Sequence, residues 1–212
     1  MAQICVSLTE GTTRDVIDRM AALAGVADLF EVRGDLITDL DLLEILRARA
    51  RPLIFACRPV GEGGRWEDGE SRRRLILLEA VKRGYDYVDV EYRSDLLDVA
   101  MEKAGNGLIV SYHDLEGTPE DLEGLYARMC DRGADVVKIA VTPLSVADVA
   151  RVLKLAERVA VSRGKPLVAI ALGPLGVITR VAGVTSRTRY TSAIICAGTC
   201  PAAVSAPSAA AA

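Results

Sequence analysis

Two residues of this 212-residue chain call for a chemical account before any other: Lys138 and His113. Lys138 sits inside the apolar run VVKIAV, between Val137 and Ile139. Lysine is almost never fully buried without a partner. Pointed inward beside other cations, it is pushed by desolvation and repulsion toward the neutral amine, and a neutral amine attacks carbonyls to form an imine. His113 is the single histidine of the chain and closes the run GLIVSYH. An imidazole titrating near neutrality suits general acid–base work. Three arginines, Arg33, Arg58 and Arg180, fall at or just after strand-like runs. Such an excess of cations suits an anionic substrate, because guanidinium clamps a carboxylate through paired hydrogen bonds. Glu31 and Glu62 can hold these arginines or orient the histidine, and Ser7 lies at the end of the first run. Together they describe a lysine-imine enzyme acting on a small carboxylate that carries a ketone. Each residue also has a plainer reading. A lone histidine at a strand end is commonly a hydrogen-bonded structural group, and strand-end Glu and Arg are commonly solvated or ion-paired.

The elements that must position these groups alternate regularly. Eight short β-rich runs cover residues 3–8, 28–33, 52–58, 85–92, 107–113, 135–141, 166–172 and 190–198. Most are almost continuously apolar, as strands buried on both faces of a parallel sheet must be. Amphipathic stretches lie between them at 12–25, 39–50, 70–84, 119–133 and 145–164. Basic–Gly pairs (Arg83 with Gly84, Arg132 with Gly133, Arg163 with Gly164) predict helix C-caps. Thr118 followed by Pro119 predicts an N-cap with proline in the first helical position. Eight such units predict a single α/β domain over 1–212, a (β/α)8 TIM barrel whose chemistry gathers at the C-terminal ends of the strands. A doubly wound open sheet is the alternative, but no GxGxxG loop follows the first strand. The Ala-rich stretch 200–212 offers little pattern for an eighth helix, so that helix is expected to be abbreviated or irregular. Gly63 and Gly64 in EGGRW form either a plain turn or the hinge of a lid carrying Trp66.

Composition narrows the class further. Half of the residues are hydrophobic and 4% are aromatic, so the core is expected to be aliphatic. A net charge of −3 leaves no nucleic-acid footprint. No apolar run reaches the length of a membrane span, and no basic stretch followed by an apolar one suggests a signal peptide. The five cysteines are scattered without a CxxC pair, which argues against a disulfide framework or a metal site. A reduced, cytoplasmic setting is the expectation.

The polar segments also resemble a known family, the type I 3-dehydroquinate dehydratases. The matching pieces are EVRGD at 31–35, CRPVGEGGRW at 57–66, VDVE at 88–91, SYHDLEGTP at 111–119, VKIAV at 137–141 and IALGPLGVITRVAG at 170–183. They occur in the family's order. The resemblance implies a TIM barrel that removes water from 3-dehydroquinate to give 3-dehydroshikimate. It implies that Lys138 forms the Schiff base and that His113 acts as general acid and base. Glu62 then corresponds to the carboxylate that positions the histidine, and Arg180 to the clamp on the substrate carboxylate. Glu31, Arg33 and Arg58 correspond to residues that bind substrate hydroxyls and hold the polar network, and Ser7 matches weakly. No metal or dissociable cofactor is implied, and a homodimer is.

The C-terminal region departs from the family pattern. An SAPGQ-like loop normally follows the eighth strand and touches substrate. TCPAA at 199–203 falls there by spacing, so Thr199 keeps a hydroxyl while Ala203 replaces the glutamine. SAPSA at 205–209 fits the letters better and the spacing worse. A lost amide contact would cost about 1–3 kcal/mol. Two competing functions follow: another class I imine lyase or aldolase acting on a keto-carboxylate, or a weakly active homologue that binds without efficient turnover.

Overall fold

The computed structural model describes residues 3–97 and 107–185. The expected eighth strand, the Ala-rich tail and Thr199 lie outside the described residues. Seven strands form one sheet in chain order, every neighbouring pair parallel. They are β1 (Cys5–Leu8), β2 (Leu29–Arg33), β3 (Leu53–Ala56), β4 (Tyr87–Glu91), β5 (Gly107–Asp114), β6 (Val136–Val141) and β7 (Leu167–Ala171). The helices are α1 (Thr13–Leu23), α2 (Leu42–Arg47), α3 (Glu70–Arg83), α4 (Leu122–Asp131), α5 (Val146–Ser162) and α6 (Val177–Thr185). None of the described helices is long and apolar enough to cross a membrane.

Side-chain parity divides the strands into two faces. Phe30, Val32, Phe55, Val88, Val90, Val110, Val137 and Ile139 point outward into the core beneath the helices. Cys5, Leu29, Ile54, Ile109 and Val168 point inward and pack with one another, joined by Tyr87 and Val136. That inner cluster takes side chains from all seven strands, so the sheet must be curled. Distances agree. Lys138 on β6 lies 2.5 Å from Glu31 on β2, four strands away. A flat sheet would separate them by about 19 Å at 4.7–4.9 Å per strand. The architecture is therefore TIM-barrel-like, as the alternating pattern predicts.

Local signals place most helix ends. Thr12, Asp41 and Asp121 accept backbone N–H bonds at the starts of α1, α2 and α4. Ser145 and Asp148 form a reciprocal capping box on α5. Two sequence expectations are corrected. Pro119 does not open α4, because Asp121 caps it and Thr118 instead donates to the Thr142 carbonyl at 3.2 Å. At the end of α5 the left-handed residue is Arg163, φ 54°, rather than Gly164. The segment predicted at 39–50 is helical only over Leu42–Arg47.

Candidate active site

The inward face of the strands changes character toward their C-terminal ends. Above the apolar floor it carries Ser7, Glu31, Arg33, Asp89, Glu91, Ser111, His113 and Lys138, each an even number of residues from a floor position on its own strand. Arg58 follows β3 with the same parity. All eight sequence-predicted site residues among the described ones (Ser7, Glu31, Arg33, Arg58, Glu62, His113, Lys138 and Arg180) line a single cavity, together with Ile170 and Leu172.

Lys138 is buried, and its amine bonds Glu31 at 2.5 Å and Asp89 at 3.0 Å. Its immediate partners are thus carboxylates, where cations were expected. Burial and the Asp89 charge push Glu31 up, but Lys138, Arg58 and Arg33 hold it below its ordinary value. Asp89 is also held well below its ordinary value, where Arg58 and Lys138 overcome burial. Ser7 donates to the second oxygen of Glu31.

Arg58 directs its donors inward. Its Nη2 bonds Asp89 at 2.9 Å, and its Nη1 lies 3.2 Å from Ser111 Oγ, 3.4 Å from Glu91 and 3.0 Å from His113 Nδ1. Glu62 meets the same Nδ1 at 3.0 Å. Burial first, then the charges of Arg58 and Lys138, lower His113 well below its ordinary value, so the ring is neutral at pH 7. Burial, helped by the charge of Glu91, pushes Glu62 up to about 7 against the pull of Arg58.

Two glycine-bearing turns bring the remaining groups in. After Arg58 the chain folds back so that a Cβ on Gly64 would lie 1.9 Å from the Arg58 carbonyl oxygen. Gly64 N donates to Pro59 O at 3.0 Å, and Trp66 N to Arg58 O at 3.1 Å. This tight turn presents Glu62 to the histidine. Trp66 packs against the outer core and lines a separate groove beside α3, while Glu62 and Gly63 of the same segment line the site cavity. After β7, a Cβ on Gly176 would lie 1.9 Å from the Ala171 carbonyl oxygen. Thr179 ties the turn by donating to Gly176 O at 2.7 Å and accepting from Ala171 N at 3.1 Å. Arg180 follows on α6 and reaches the cavity half-buried. Arg33 is held by Asp35 in a two-bond fork at 3.0 and 2.8 Å. Cys57 is buried, which pushes its thiol up to about 12, so it offers no nucleophile at neutral pH.

The model for the type I 3-dehydroquinase family matches residues 4–212. The chain belongs to that family. A 3-dehydroquinate dehydratase of Desulfotalea psychrophila is 37% identical over 187 residues, covering 85% of this chain and 82% of the relative. The crystal structure of 3-dehydroquinate dehydratase from Geobacillus kaustophilus superposes with a TM-score of 0.79 at 29% identity, covering 92% of this chain and 81% of that one. The type I enzyme of Clostridium difficile, crystallised with covalently modified comenic acid, gives 0.78 at 26% identity, covering 91% and 82%.

In this type I 3-dehydroquinase chain, sequence reading left several buried polar groups without a role. Asp89 bonds both Lys138 and Arg58, Glu91 and Ser111 also hold Arg58, and Arg58 in turn reaches His113. The alternation in YVDVE marks both acids as inward-facing. Arg73 of α3 is buried and bonds Glu91 at 2.5 Å, Ser94 Oγ at 3.0 Å and the Cys57 carbonyl at 3.0 Å. Its face was readable from helical spacing, since Arg73, Leu77 and Ala80 form the buried stripe. Arg73→Ala leaves Glu91 without that buried partner and is expected to lower stability by about 3–5 kcal/mol. Arg72→Ala removes an exposed ion pair with Asp68 and should barely shift it. Urea unfolding of both variants checks this; equal midpoints would show that Arg73 holds nothing.

Proposed function

We propose that this chain dehydrates 3-dehydroquinate through an imine on Lys138. The observation that carries the reading is the convergence of Lys138, His113, Glu62 and Arg180 on one cavity. The substrate needs a carboxylate anchor, a ketone-directed amine and a group that moves protons, and the cavity offers one of each. Arg180 clamps the carboxylate. The Lys138 amine, held 2.5 Å from Glu31, reacts once it has released its proton to solvent. The freed amine adds to the ketone, and the carbinolamine loses water to give a protonated imine, which withdraws electrons from the adjacent C–H.

His113 takes that proton through Nε2, the ring nitrogen left over once Nδ1 faces Glu62 and Arg58. The enamine then expels the β-hydroxyl, protonated by the same imidazole, so one water leaves overall. Hydrolysis of the imine returns the lysine and releases the enone. The lysine supplies the electron sink, so the reading calls for no metal or dissociable cofactor.

Borohydride reduction in the presence of 3-dehydroquinate, followed by digestion and mass spectrometry, tests the reading. An adduct on the peptide bearing Lys138 is expected. Turnover with no adduct anywhere would exclude the imine. Binding with neither turnover nor adduct would favour a binder that does not catalyse.

A further inference from the structure

The side chain of Asp35 is 0% exposed, and its carboxylate accepts four hydrogen bonds from three places in the chain. Its Oδ1 takes Arg33 Nε at 3.0 Å and the backbone N–H of Arg58 at 3.1 Å. Its Oδ2 takes Arg33 Nη2 at 2.8 Å and the backbone N–H of Arg65 at 3.0 Å. Each oxygen therefore joins one donor of a guanidinium to one end of the turn that follows β3. Arg33, Glu62 and Gly63 line the cavity, and Asp35 is not on its wall. Gly34 sets the approach. A Cβ there would lie 2.5 Å from the Phe55 ring, so the chain leaving β2 turns tightly against β3.

We propose that Asp35 is a positioning residue that sets the cavity-facing guanidinium of Arg33 and the turn carrying Glu62 in one register. The inference rests on the reading of Arg33 as a donor to substrate hydroxyls and of Glu62 as the partner of His113. The fork fixes the plane of the Arg33 guanidinium, so the donors outside it meet substrate in one orientation. The turn's own bonds, from the Glu62 and Gly64 N–H groups to the Pro59 carbonyl, set its shape. The Asp35 bonds tie both of its ends to the end of β2. The junction requires a carboxylate. All four partners donate, and an ionised carboxylate offers two oxygens that only accept. Such charge-assisted bonds are also the stronger kind.

Asp35→Asn keeps the shape and loses one oxygen. Whichever way the amide sits, one guanidinium donor and one end of the turn then face an NH2 group. KM should rise through Arg33 and kcat should fall through Glu62, together lowering kcat/KM by about ten- to a hundredfold. Arg65→Pro separates the two effects. It deletes the N–H that Asp35 Oδ2 accepts and leaves the Arg33 fork in place. The Arg65 side chain is exposed and does not line the cavity, so nothing else of the site is removed. In this variant kcat should fall while KM stays near that of wild type.

Trp66 is the only tryptophan in the chain and reports the turn without substrate. It follows Arg65, and its backbone N–H donates to Arg58 O at 3.1 Å. Acrylamide quenching of its emission should increase in Asp35→Asn and in Arg65→Pro, while circular dichroism stays unchanged. Wild-type KM in Asp35→Asn overturns the proposal, whether or not kcat falls, because a loss of folded protein alone would lower kcat and leave KM in place. If Asp35→Asn does not fold, Arg65→Pro decides: unchanged kcat with unchanged quenching overturns the proposal. Quenching is measured without substrate, so its outcome is separate from that of borohydride trapping on Lys138, whose failure would remove the imine reading and leave the Asp35 junction standing.

Discussion

Lys138→Met is expected to lose all measurable turnover of 3-dehydroquinate and all borohydride trapping, while binding substrate within about tenfold of wild type, or about 1.4 kcal/mol. The side chain keeps its length and apolar stem, so the cavity keeps its shape. What disappears is the nitrogen that forms the imine, and no neighbouring group replaces it, because the other cations lining the cavity are guanidiniums. A second consequence is structural. Glu31 and Asp89 lose the ammonium between them, although Arg58 still bonds Asp89 at 2.9 Å and stands 3.9 Å from Glu31. The variant should therefore fold with reduced stability, and calorimetric binding of substrate is the check that its site is formed. Turnover at the wild-type rate would sink the imine mechanism.

His113→Ala should slow turnover by about 10²–10⁴. The imine can still form slowly on Lys138, so borohydride should trap an adduct in this variant where Lys138→Met shows none. An undiminished rate would make His113 a structural group. Stability carries a separate signature. The folded-state value of His113 lies well below its ordinary 6.5, so the unfolded chain binds a proton that the folded chain refuses. The contribution is full above about 6.5 and is lost as pH falls, and His113→Ala should lack that acid-side loss. Glu62 has the opposite sign. Raised from 4.5 to about 7, it stabilises the fold below 4.5 and loses that contribution as pH rises through 7. Urea midpoints measured across pH separate the two.

Much of this could be read before any coordinates. Continuous apolar runs joined by amphipathic stretches specify parallel strands covered by helices, because strands buried on both faces have no polar side to show. The polar residues that interrupt those runs mark the mouth, since an inward charge is tolerated only where partners meet it. In that way Lys138 and His113 were legible from type and position, while Glu62 and Arg180 were singled out from the segments that follow β3 and β7. The inward parity of Asp89 and Glu91, and the helical phase of Arg73, were also present in the sequence, but nothing local says what such residues bind.

Partnership was decided by the tertiary structure. Lys138 meets Glu31 across 107 positions of chain because the sheet curls until β2 faces β6. Arg58, expected to bind substrate hydroxyls and to hold the polar network, meets the carboxylates of β4 and the histidine through the same closure. A sequence states the period of each strand, and that period determines which side chains face inward. It does not state the curvature of the whole sheet, a sum over every strand pair, and the curvature determines which inward groups come within hydrogen-bonding distance.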